Sequence, residues 1–82
     1  MTNTERITVF QWALEIGGSS KHHVSFDYNS NSPWVTIWIH DNVKGGIADN
    51  KDIEVITEPT RAWLSKWLEI IDKEREEDAR NR

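Results

Sequence analysis

The sequence predicts an α+β fold: a three- to four-stranded antiparallel meander sheet followed by one C-terminal helix packed on one face, β-β-β-(β)-α. Three observations predict it. Successive runs near the start alternate their side chains with the period of two of a strand. Two short polar turns separate these runs. Beyond residue 57 the apolar residues recur with helical spacing instead.

The first run is Ile7 to Ile16. Phe10, Trp12, Leu14 and Ile16 fall on one side of the alternation, and Gln11, Ala13 and Glu15 on the other. It reads as a strand with one buried side. Gly17-Gly18-Ser19-Ser20-Lys21 reads as a turn. The second run, 22–28, puts Val24, Phe26 and Tyr28 on one face and His23, Ser25 and Asp27 on the other. Asn29 to Pro33 is a second turn, and Pro33 suits the entry to a strand because it lacks an N–H.

The third run, Trp34-Val35-Thr36-Ile37-Trp38-Ile39-His40, is apolar on both faces. Val35, Ile37 and Ile39 share one face; Trp34, Thr36, Trp38 and His40 share the other. A strand of a small antiparallel sheet needs only one apolar face. The second face therefore calls for a second cover, a partner or another copy of the chain. Register decides which face that is, because opposed residues share a face and a slip of one residue exchanges the sets. Pairing Phe26 with Ile37 buries the aliphatics; pairing Phe26 with Thr36 buries the tryptophans. We prefer the first, since Thr36 and His40 travel with the tryptophans and fit poorly beneath a helix. Val9 and Ala13 would then lie near the outer face.

Residues 41–52 are rich in Gly, Asn and Asp and read as a long loop. Residues 53–56 read as a short fourth strand or a lead into the helix. Thr57 or Glu58 can cap that helix, and Pro59 fits its first turn. Trp63, Leu64, Trp67, Leu68 and Ile71 form one stripe wide enough to lie on a sheet. From Asp72 onward there is no apolar face, so this stretch is expected to fray or project. Residues 1–6 and about 75–82 are the expected frayed ends of a single domain, 1–82.

The chain has 82 residues, so its core is modest: roughly 60–65% of the unfolded surface is buried at this size. It has no cysteine and so no disulfide or thiolate metal site. The first residues lack the pattern of a signal peptide, no apolar run is long enough to span a membrane, and the cytoplasm is the expected location. Fourteen acidic and 10 basic residues give a net charge of −4, which disfavours non-specific nucleic-acid binding. Five tryptophans are many for this length. Tryptophan is enriched at interface hot spots.

No catalytic pattern stands out. His22 and His23 are adjacent in a strand and point to opposite faces, so they cannot chelate one ion together. His23 and His40 could meet across a hairpin, with Asp27 or Asp41 nearby. Glu15, Asp27 and His40 could be cast as an acid/base set, but nothing places them in a pocket. Lys44-Gly45-Gly46 has the wrong order for a phosphate loop. The expectation is no enzyme, no metal, no cofactor and no small-molecule substrate.

In general style the chain is short, acidic, cysteine-free and tryptophan-rich, with one small α+β unit. It resembles accessory proteins of bacteriophages and other mobile elements, many of which bind and inhibit a host protein. The resemblance rests on size and composition, carries no motif and transfers no functional residue. It implies an inhibitor or modulator of a host protein. The expected function is a non-catalytic protein–protein interaction module, binding a partner or itself through the outer sheet face. Trp34, Thr36, Trp38 and His40 are the candidate contact residues. The alternative is single-stranded nucleic-acid binding by stacking on these aromatics, or an acidic DNA mimic.

Overall fold

Residues 3–16 form a helix, not the expected first strand. In the computed structural model, which describes residues 1–81, the chain runs α1 (Asn3–Ile16), β1 (His22–Asp27), β2 (Val35–Asp41), β3 (Ile47–Ile53) and α2 (Glu58–Arg80). The α+β class and the antiparallel meander stand, with strand order β1-β2-β3. The single C-terminal helix becomes two helices, one at each end of the chain.

The start of α1 carries its own signal. Thr2 accepts the Glu5 N–H and the Glu5 carboxylate accepts the Thr2 N–H, both at 3.1 Å, a reciprocal capping box. Gly17, at φ +62°, closes the helix. Most of residues 7–16 are apolar, so periods of 2 and 3.6 fit the run equally well. The helix inverts the expected burial. Val9, Ala13 and Ile16 are in the core, while Phe10 and Leu14 are exposed and Trp12 is half-buried. Val9 and Ala13 therefore lie far from the outer sheet face.

β1 and β2 pair as preferred, with Phe26 opposite Ile37. Val35, Ile37 and Ile39 are all 1% exposed or less. Their face meets Val9, Ala13 and Ile16 of α1 and Leu64, Trp67 and Ile71 of α2 in one core.

The expected loop 41–52 is instead a tight turn followed by β3. The Asp41 carboxylate accepts the N–H groups of Val43 and Lys44 at 2.9 Å. Gly45 and Gly46, at φ +82° and +77°, bring the chain back. β3 is an edge strand built largely of Asp, Asn and Lys, residues depleted in strands. Its ladder with β2 holds it, and only Ile53 at its end is fully buried. Residues 54–56 lead into α2 and form no fourth strand.

Thr57 caps α2 and Pro59 lies in its first turn, as expected. The stripe Trp63 to Ile71 faces the core. The charged stretch after Asp72 continues the helix to Arg80 and is fastened by polar contacts, not apolar ones. Glu74 bonds Ser19 and His22, Asp78 bonds Ser20, and Glu77 pairs with Lys21. These partners all belong to the turn between α1 and β1 or to the first residue of β1. No described helix is long and apolar enough to cross a membrane.

Candidate functional site

Both helices pack against the same face of the sheet, and among the described residues no helix or strand covers the other. Strand register arranges that outer face in three ranks: Asp27–Thr36–Asp52, Ser25–Trp38–Asn50, and His23–His40–Ile47. Trp38 lies on the middle strand of the middle rank, between two small polar side chains. It is half-buried, while Trp34, one residue before β2, is 46% exposed.

Thr36 stands between the tryptophans on this face and is only 4% exposed. Its hydroxyl donates to the Asp52 carboxylate at 2.7 Å. His40 Nε2 and the Ser25 hydroxyl are hydrogen-bonded at 2.6 Å. His23 and His40 stack with ring centroids 4.2 Å apart and planes 2° from parallel. His23 is held in turn by Asn42. Thr36, Trp38 and His40 thus share one sheet face, with the polar groups of Thr36 and His40 fixed by their neighbours, while Trp34 precedes the strand and is exposed.

The tryptophans divide into two chemical kinds. Trp63 and Trp67 of α2 donate their indole N–H groups to one oxygen of Asp49, at 2.8 and 2.9 Å. Asp49 is on the inner face of β3, opposite Ile39. Partial burial raises its pKa. Donation from Trp67, Trp63 and the Asn50 N–H, with Lys66 nearby, outweighs this and holds the carboxyl below its usual value. In contrast, the indole N–H groups of Trp34 and Trp38 have no hydrogen-bond partner among the described residues. A buried Trp N–H usually finds an acceptor, and Trp34 and Trp38 are open enough for solvent to supply theirs.

The other candidate constellations disperse. Glu15 is on α1, beside a shallow cleft toward Arg61 and Leu68 of α2, and does not share a face with Asp27 and His40. His22 points to the helix side, where it meets Glu74, while His23 points outward. His23 and His40 do meet, but as stacked rings. Among the described residues no three His, Asp or Glu side chains converge as metal ligands. Gly45-Gly46 forms the β2–β3 hairpin turn.

A second apolar surface, not expected of a strand, lies on α1. Ile7, Phe10 and Leu14 are 58%, 44% and 64% exposed along one side of α1. The signal was present as a helix apolar on most sides behind a Thr2-x-x-Glu5 cap. Compared with known proteins, the chain matches no family model, no curated protein and no solved structure.

Proposed function

We propose that this chain is a small non-catalytic protein-interaction module that binds a partner protein through the outer sheet face. Trp34, Trp38 and His40 are the contact residues, and Thr36, buried among its neighbours, supports the face through its bond to Asp52. One observation carries the reading: Trp38 stands mid-sheet, on the uncovered face, with an unused N–H donor. An aromatic anchor ringed by polar groups is the usual centre of a protein interface. The fitting partner has an apolar recess for Trp38, an acceptor for its indole, and basic groups toward Asp27 and Asp52. The composition and its resemblance to mobile-element accessory proteins support a host protein as that partner, met in the cytoplasm.

The test is capture from bacterial lysate by wild type beside the double variant Trp34→Ser/Trp38→Ser, with circular dichroism on both. The reading requires a defined protein held by wild type and lost from a folded variant. Equal capture by the folded variant would move the site elsewhere.

A further inference from the structure

The two edges of the sheet are not alike. The β3 edge is interrupted by a bulge at Ala48, between the pairs Ile39–Asp49 and His40–Ile47, and carries Asp49, Lys51 and Asp52. Bulges and charges are the ordinary protection of an edge strand. The β1 edge has no bulge and no proline, and its one Asp or Lys is Asp27 at the end of the strand.

Which backbone groups β1 leaves open follows from its hydrogen bonds. The Asn42 N–H donates to the Lys21 carbonyl at 2.8 Å, so Lys21 points into the sheet. Backbone groups alternate in direction along a strand. His23, Ser25 and Asp27 therefore also point toward β2, and His22, Val24 and Phe26 toward the open edge. His22 is already occupied there, since its carbonyl accepts the Ser19 N–H at 2.8 Å and its N–H donates to the Ser19 hydroxyl at 3.1 Å. Val24 and Phe26 remain.

The apolar stripe of α1 overhangs this same edge. Phe10 packs edge-on against Phe26 of β1, with ring centroids 5.2 Å apart. Trp12 and Ile16 line the opposite flank, toward α2. Ile7 and Leu14 are three and four residues from Phe10 and share its side of the helix.

We propose that a second copy of this chain docks here. Two β1 strands pair antiparallel about a two-fold axis at Ser25, forming a continuous six-stranded sheet, and the two α1 stripes pack over the seam. The chain dictates the register. Val24 of one copy lies opposite Phe26 of the other, each exchanging the N–H and C=O that β1 leaves free. This keeps inner residues opposite inner ones, as pairing requires. It also puts His23 opposite Asp27 of the second copy on the outer face, a complementary pair repeated by symmetry. The register that pairs Val24 with Val24 would need the His22 groups that Ser19 holds, and the register that pairs Phe26 with Phe26 would lose the His23–Asp27 pair. Dimerisation leaves Trp38 uncovered in each copy, so it duplicates the partner site and shares with it only Asp27 at the rim.

Sedimentation equilibrium of the full chain over a wide concentration range tests this. Wild type is expected at twice 9.6 kDa. Ile7→Lys/Leu14→Lys is expected at half the wild-type mass with an unchanged circular dichroism spectrum, because both side chains are exposed. Trp34→Ser/Trp38→Ser is expected to remain dimeric. A wild-type monomer throughout would overturn the proposal. So would a dimer that the tryptophan pair breaks and the helix pair does not, which would place the contact on the outer face. If the lysine variant fails to fold, amide exchange of wild type decides. Slow exchange at Val24 and Phe26 supports the seam, and fast exchange there in a dimeric sample refutes it.

Discussion

Phe26 lies directly opposite Ile37, and that pairing turns Trp38 to the face that no helix covers. Trp38 and Trp67 are therefore the same residue type in opposite roles. Trp38→Ser removes a half-buried side chain from the open face and should lower stability by about 1–2 kcal/mol. Trp67→Ala empties a core position and should cost about 3–5 kcal/mol. Urea unfolding of the two variants checks the contrast.

Asp49 fastens β3 to α2 by accepting both indole N–H groups. Asp49→Ala strands two partly buried donors and should cost about 2–4 kcal/mol. Asp49→Asn retains an acceptor oxygen and should cost less. Thermal unfolding of both variants separates lost acceptor from lost charge.

The same carboxylate sets a pH dependence. Its folded pKa lies below the ordinary value of 3.8. The unfolded chain therefore binds the proton first as pH falls. The stabilisation is fully present above that ordinary value and is lost as pH drops through the lower folded one. Glu5 and Asp41 shift the same way, through backbone N–H donation from Thr2 and from Lys44 and Val43, and add to the trend. Melting temperature should fall with acid below about pH 4. The fall should be shallower in Asp49→Asn. A steeper fall in that variant would contradict the assignment.

The middle of the molecule was legible because its physics is local. Val24, Phe26, Val35, Ile37 and Ile39 alternate, and the 63–71 stripe has helical spacing. The placing of Trp38 outside follows from Thr36 and His40 sharing its face, which the Phe26–Ile37 pairing bears out. The ends were less legible. Residues 7–16 are apolar at positions that satisfy both periods, and only the Thr2–Glu5 cap tells helix from strand. β3 has the composition of a loop, and its pairing with β2 is non-local. The anchoring of Glu74 and Asp78 also joins residues more than 50 apart in sequence, beyond any spacing rule.

That anchoring makes the acidic end of α2 part of the fold. Glu74→Ala removes an acceptor shared by Ser19 and His22 and should cost about 1–2 kcal/mol. Ending the chain after Lys73 should cost more, since the Glu77 and Asp78 contacts go as well. Chemical denaturation of the two forms checks the order.

The start of α1 offers a smaller test. Thr2→Ala removes the acceptor for the Glu5 N–H and should cost about 1 kcal/mol. A strand over residues 7–16 would be indifferent to it, so a thermal melt of this variant distinguishes the two.

The central claim is that the outer sheet face meets the partner. The most direct measurement is the fluorine NMR spectrum of the 5-fluorotryptophan-labelled chain, titrated with the captured protein, with each of the five tryptophans assigned by substitution. The Trp34 and Trp38 resonances should shift or broaden while Trp63 and Trp67 hold still. If Trp34 and Trp38 stay unmoved and Trp12, beside the helix cleft, responds instead, the partner binds the other side of the molecule and the account is wrong.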